Sequence, residues 1–279
     1  MAPNGRATET GSAVSTDGTR IAWQRHGTGE PVILFIPTWN LVDSRVVRYQ
    51  VDFLGARTTV ITYDPRGAGA SDRPDHGYDF PMHAADALAV LDAAGVEQAS
   101  IVTASRGMNS AILLATAHPE RVDRLVAVAP TVKLQPKEGG VFWTVDEIRE
   151  EADLASAHGW RTDWPAFARW FMGRVFTEPD SEEKIQEFVD IALEASPEIL
   201  ITQERETDWA TIPPLLASVR IPTLLIHGDG DVMIPVSMVQ ALADALPNAR
   251  LELIPGGGHR PDARTPERVN ELIAAFLIR

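Results

Sequence analysis

Three residue types that together support nucleophilic catalysis stand on three separate stretches of this chain. Ser105 lies in IVTASRGM (101–108), Asp231 in TLLIHGDGDVMIP (223–235) and His259 in LELIPGGGHRP (251–261). A serine hydroxyl is a weak nucleophile until a base removes its proton during attack, and His259 is the candidate base. A carboxylate on the other ring nitrogen fixes the tautomer; its loss costs about 10⁴ in rate in a well-studied triad. The order serine, acid, histidine is expected where the nucleophile occupies a sharp strand-to-helix elbow and its partners follow on later strands. Alone, TASRG describes a helix N-cap serine equally well. Asp231 and His259 make Ser105 a nucleophile. Asp231 is preferred to Asp229 because it lies deeper in the loop; Asp229 reads as a structural hydrogen-bonding residue. Gly107 supplies the small residue two positions after the serine, and Ala111 lets the helix pack closely. Thr103 stands where such elbows usually carry glycine, which predicts a slightly wider turn.

Acyl transfer also needs two backbone N–H donors for the developing oxyanion, one from the residue after the nucleophile and one from an earlier loop. Arg106 supplies the first, and Trp39 in PTWN (37–40) is the expected second. Substrate contacts are expected from Trp39, Asn40, Arg106, Trp143 and Trp170. Two readings of the Arg106 side chain stay open. It is a solvated arginine at a helix start, where the helix dipole slightly disfavours it, or it borders the pocket. In the second case it pairs with an anionic substrate group, with Asp43 or with another acid. Asp64 and Arg66 are expected to brace their loop. His26, His76, His83, His118 and His158 show no metal-ligand spacing, and GAGAS (67–71) lacks a phosphate-binding fingerprint.

The elements that must position these residues alternate. Short strands are expected near Ser12–Ser15 and Arg20–Arg25. β-branched runs that read as buried strands follow at 32–37 and 58–64, and further strands are expected at 99–105, 125–130, 223–228 and 250–256. Helices fall between them at 44–55, 83–94, 107–117, 236–246 and 266–278. The pattern predicts an α/β fold, a mostly parallel sheet covered on both faces. Residues 1–11 read as a flexible arm, and 12–131 with 219–279 as the core. Residues 132–218 break the alternation: amphipathic helices fit VDEIREEADLASA, WPAFARWFMGRVF and SEEKIQEFVDIALEA. Five of the seven tryptophans lie here (Trp143, Trp160, Trp164, Trp170, Trp209), most expected to pack and one or two to line a pocket. An insertion at this point sits beyond the carboxyl ends of the strands, where ligands bind in open α/β sheets.

Composition bounds the partners. A net charge of −14 argues against nucleic acid, and the absence of cysteine excludes thiolate metal sites and a cysteine nucleophile. No apolar stretch approaches a membrane span, and the first twenty residues lack a signal-peptide core. The expectation is a cytoplasmic protein with a small-molecule substrate, no metal or cofactor and, at most, a second copy of itself in a homodimer.

Together these features resemble the α/β-hydrolase superfamily over residues 12–279. YDPRGAGASDRP (63–74) is similar to the family's loop after the fourth strand, AHPERVDRLV (117–126) to its helix-to-strand passage, and HGDGD and GGGH match closely. Pro37-Thr38 replaces the family's usual His-Gly before the oxyanion residue. PTW followed by Asp43-Ser44-Arg45 looks like a subgroup sometimes fused to nucleotide-cyclase domains, which carries no substrate with it. The resemblance implies an eight-stranded core with a helical cap after the sixth strand, and the triad Ser105, Asp231 and His259. The expected activity is cofactor-free hydrolysis of an ester, thioester or lactone of a small, partly apolar molecule through an acyl-enzyme. A lyase, cyclase or carbon–carbon hydrolase, or a receptor-like member with vestigial hydrolysis, stands as the alternative.

Overall fold

In the computed structural model the described residues are 7–134 and 154–278. They build one eight-stranded sheet in the order β1-β2-β4-β3-β5-β6-β7-β8. The strands are β1 (Glu9–Val14), β2 (Arg20–His26), β3 (Val32–Ile36), β4 (Thr59–Tyr63), β5 (Ala99–Ala104), β6 (Val122–Val128), β7 (Thr223–Gly228) and β8 (Ala249–Ile254). β1 and β2 run antiparallel to each other and β2 antiparallel to β4; the remaining pairs are parallel. Central strands are buried along their whole length, as β-branched runs covered on both faces must be.

Because successive side chains point to opposite faces, the sheet builds two cores. Leu34, Ile36, Ile61 and Ile101 pack with Ala87, Leu91, Met108 and Ile112 of α2 (Phe80–Ala93) and α3 (Gly107–Ala117). Ile33, Phe35, Val102, Val126 and Ile226 pack on the other face with α1 (Arg48–Leu54) and the closing helix, through Val51, Leu54, Val269 and Ile273. Between β6 and β7 the described chain holds α4 (Ala157–Thr162), α5 (Trp164–Val175), α6 (Glu182–Ala192) and α7 (Pro197–Glu206). After β7 come α8 (Val236–Ala245), α9 (Pro261–Arg264) and α10 (Pro266–Leu277). No helix among the described residues is long and apolar enough to cross a membrane.

Several boundaries differ from expectation. Glu9–Gly11, assigned to the flexible arm, belong to β1, where Glu9 pairs with Arg25 and Gly11 with Trp23. Gly11 permits this pairing because any Cβ there would meet the Trp23 ring. α2 starts at Phe80, three residues early, because Asp79 caps it by accepting from the Met82 N–H, and Pro81 sits in the first turn, where its missing N–H costs nothing. α7 was not anticipated. Most of VDEIREEADLASA, with Trp143, lies outside the described residues.

The register aligns the strand ends that matter. Ile36 faces Thr103, Ala104 faces Val128, Val128 faces Ile226 and Gly228 faces Ile254. The loops after β3, β5, β6, β7 and β8 therefore emerge side by side at one edge of the sheet.

Candidate active site

Ser105 follows directly on β5, and α3 begins two residues later. Its backbone sits at φ 50°, in the left-handed region that a side chain occupies only under constraint. The constraint is visible. The Ser105 N–H donates to the Val128 carbonyl at 2.9 Å, and the Ser105 carbonyl accepts from the Thr131 N–H at 3.1 Å. Asn109 of α3 donates through Nδ2 to both the Arg106 and Thr131 carbonyls, each at 2.8 Å. Thr103 does more than fill the usual glycine position: its hydroxyl donates to the Ile36 carbonyl at 2.9 Å, pinning β5 to the end of β3. Gly107 is required beneath it. A Cβ at Gly107 would lie 2.1 Å from Thr103 Oγ1 and 2.5 Å from the Pro37 carbonyl oxygen.

His259 and Asp231 converge on this elbow. His259 Nε2 is 3.0 Å from Ser105 Oγ, and His259 Nδ1 is 2.7 Å from Asp231 Oδ2. Asp231 Oδ1 accepts from the N–H groups of Met233 (2.8 Å) and Ile234 (3.1 Å), so its second oxygen is left for the histidine. Burial works to raise the Asp231 carboxyl, but the charge and hydrogen bond of His259 and the Ile234 N–H outweigh it and hold it below the usual carboxylate range. An ionised Asp231 requires the proton on His259 Nδ1, which leaves Nε2 as the acceptor facing Ser105. Gly228 at the end of β7 allows the histidine loop to approach: a Cβ there would lie 2.1 Å from the Gly257 carbonyl oxygen. Asp229 turns the other way and accepts from the Gly256 N–H at 2.6 Å.

A cavity of about 310 Å³ opens above Ser105 and His259. Its walls are mostly apolar, with Trp39 and Leu41 from the loop after β3 and Trp160, Phe167, Phe171 and Phe188 from the helices between β6 and β7. Trp39 meets Trp160, Phe167 and Phe171 edge-on, with ring centroids 5.9, 6.2 and 5.1 Å away. The His259 N–H donates to the Val175 carbonyl at 3.0 Å, tying the histidine loop to the end of α5.

Two expected substrate contacts are corrected. Asn40 is fully buried away from the cavity; its Nδ2 donates to the Arg66 carbonyl at 2.5 Å and its Oδ1 accepts from Gln203 Nε2 at 3.0 Å. Trp170 does not line the cavity; it packs on Phe167 and under Arg174, and Trp160 stands in the wall instead. Trp143 is outside the described residues. Arg106 is not solvated. It is buried, lines the cavity and forms an ion pair with Glu204 of α7, not with Asp43, whose carboxylate is taken by Arg45. Asp64 and Arg66 brace as expected: Asp64 accepts from Ser44 and the Ala70 N–H, and the fully buried Arg66 bridges Asp86 and Asp17.

Other neighbours carried no sequence signal strong enough to single them out. Thr131 Oγ1 is 3.1 Å from Ser105 Oγ. His227, fully buried at the end of β7, donates through Nε2 to the Ile234 carbonyl at 2.8 Å and lies 3.8 Å from Asp231. Burial pushes its imidazole below the ordinary histidine range, against the pull of Asp231, so it stays neutral. Among the described residues no group of three or more His, Cys, Asp or Glu side chains could hold a metal ion.

Comparison with known proteins agrees with this fold. The family model described as the alpha/beta hydrolase fold matches residues 31–261. The mouse (Mus musculus) serine hydrolase BPHL is 24% identical over 273 residues, covering 96% of this chain and 86% of that protein. A bromoperoxidase from Bacillus anthracis superposes with a TM-score of 0.80 at 27% identity, over 97% of this chain and all of that one. An esterase from Exiguobacterium antarcticum does so with a TM-score of 0.82 over 97% of this chain and all of that one; at 21% identity it bears on the fold alone.

Proposed function

This chain belongs to the α/β-hydrolase fold family, and on that premise we propose that it is a serine hydrolase cleaving an ester, thioester or lactone of a small, partly apolar molecule. The observation that carries the reading is the unbroken line from Asp231 Oδ2 through both nitrogens of His259 to Ser105 Oγ, at 2.7 and 3.0 Å, on a serine held at φ 50°.

In this reading His259 Nε2 takes the Ser105 proton as Oγ attacks the substrate carbonyl carbon. Asp231 fixes the tautomer and stabilises the imidazolium that forms. Negative charge moves to the carbonyl oxygen, where the backbone N–H groups of Arg106 and Trp39 receive it; losing one such donor costs about 2.7–4 kcal/mol. The tetrahedral adduct collapses, the leaving oxygen or sulfur departs with the proton from His259, and the acyl group stays on Ser105. Water that gives its proton to His259 then attacks the acyl carbon; the acyl–Oγ bond breaks, His259 returns the proton to Ser105 Oγ, and the acid leaves. The helices between β6 and β7 act as a cap, and the aromatic walls they share with Trp39 favour an apolar substrate. A cavity of about 310 Å³ lies at the small end of the range for ligand sites.

The test is an ester panel of varied acyl length, run on wild type and Ser105→Ala. Hydrolysis of short to medium neutral acyl esters, lost by at least about 10³-fold in Ser105→Ala, is expected. Equal turnover by both proteins would overturn the reading.

A further inference from the structure

Among the described residues, both arginines that line the cavity are already neutralised by carboxylates. Arg260 forms a two-pronged pair with Asp262, at 2.8 Å through both Nε and Nη2, and both side chains are buried. Arg106 donates through Nη1 to Glu204 and through Nη2 to Thr207 Oγ1 at 3.1 Å. The setting of Arg106 makes Glu204 matter. Its guanidinium carbon lies 4.9 Å from the Trp209 ring, 5.5 Å from Trp39 and 5.8 Å from Phe80, so three aromatic faces enclose the cation. Aromatic faces attract a guanidinium but do not replace its counter-ion. A buried cation needs one, and here α7 brings it, with the Glu204 carboxylate partly exposed in the cavity wall.

A substrate carboxylate entering this cavity meets a cation whose partner is in place, and the exposed carboxylate of that partner. To bind, it would have to displace Glu204 and leave it beside itself, two like charges in one apolar cavity. We infer that Glu204 is a specificity-determining residue that masks Arg106 and restricts the cavity to uncharged esters. This rests on the hydrolase reading above and deepens it by fixing the charge class of the substrate. It also gives Arg106 two separable parts, a backbone N–H beside the nucleophile and a side chain silenced by α7.

Replacing Glu204 by the near-isosteric glutamine keeps the shape and removes the charge. The cation then remains in its aromatic enclosure beside the cavity and accepts a carboxylate from the substrate. The experiment compares p-nitrophenyl valerate with mono-p-nitrophenyl glutarate, acyl chains of matched length that differ in a terminal carboxylate. The quantity read is the ratio of kcat/KM for the charged ester to that for the neutral one, within each protein. Wild type should strongly prefer the neutral ester. Glu204→Gln should raise the ratio at least about tenfold, the size of one hydrogen bond to a charged group. Glu204→Asp, which keeps the charge and guards against a folding defect, should stay near the wild-type ratio. Arg106→Gln combined with Glu204→Gln should lose the gain. An unchanged ratio in a folded Glu204→Gln protein, or an equal gain in the double variant, would overturn the proposal. Calorimetric titration of both esters into Ser105→Ala, with and without Glu204→Gln, reads the same selectivity as binding. If wild type hydrolyses neither ester, the hydrolase reading fails, while the titration still decides whether Glu204 excludes the anion.

Discussion

Thr131 Oγ1 lies 3.1 Å from Ser105 Oγ, and His259 Nε2 lies 3.0 Å from the same oxygen. The serine hydroxyl has one proton. With Asp231 ionised and the proton on His259 Nδ1, that hydroxyl donates to Nε2, and Thr131 is left to donate to Ser105 Oγ. Thr131 then holds the serine in the rotamer that faces its base. Thr131→Val, which removes the hydroxyl and keeps the shape, should lower kcat about tenfold with little change in KM, the size of one net hydrogen bond. Thr131→Ser should restore most of it. Unchanged kcat in Thr131→Val would show that His259 alone orients the nucleophile.

The strain at Ser105 should be measurable as stability. Ser105→Ala and Ser105→Gly both lack the hydroxyl, so their difference isolates the backbone. At φ 50° the glycine protein should be the more stable by about 1 kcal/mol, reversing the usual order of these residues. Urea unfolding of the two variants checks this. Alanine equal or better would mean that the turn is relaxed.

Thr103 and Gly107 should behave as a pair. Gly107→Ala would drive a methyl into Thr103 Oγ1 and the Pro37 carbonyl, and should cost more than about 2 kcal/mol with loss of activity. Thr103→Gly removes the bond to the Ile36 carbonyl and should cost about 1–2 kcal/mol. In the double variant Thr103→Gly should recover only part of the Gly107→Ala loss, because the Pro37 contact remains. Full additivity in denaturant unfolding would refute the coupling.

What the sequence made legible was whatever depends on position along a strand. Ser105, Asp231 and His259 each follow the carboxyl end of a strand, buried for the first two and partly exposed for the third, and parallel register alone brings such ends together. What it hid depends on how helices dock. Glu204 lies in ILITQERE, where nothing local says that the helix crosses above residue 106. Asn40 neighbours Trp39 in the chain, but the turn sends the two side chains opposite ways, one into the cavity and one onto Arg66. Trp170 and Trp160 sit on neighbouring helices, and only the packing of those helices decides which of them faces the cavity.

Acid sensitivity should come partly from His83, buried in α2 with Nε2 3.3 Å from the Gln203 amide that also holds Asn40. Burial, helped by Arg66 and Arg106 and opposed by Asp86, takes its imidazole from 6.5 down to about 4. The unfolded chain binds this proton below about pH 6.5, whereas the folded chain resists it until about pH 4. Stability is therefore full above pH 6.5 and falls as pH drops through that window, by about 3 kcal/mol for this group. His26 and His227 are shifted the same way and add to the slope. His83→Gln should flatten the pH dependence of unfolding free energy between 6.5 and 4 without abolishing it. An unaltered slope would mean that His83 already titrates normally in the folded protein.

The identity of the nucleophile is open to direct observation. A fluorophosphonate probe reacts with a serine only when a neighbouring base activates it, and peptide mass mapping then locates the adduct. The expected result is one adduct per chain, on the peptide containing Ser105, abolished in Ser105→Ala and strongly slowed in His259→Ala. Folded wild-type protein that stays unlabelled, or an adduct mapping to another serine, would contradict the assignment of Ser105.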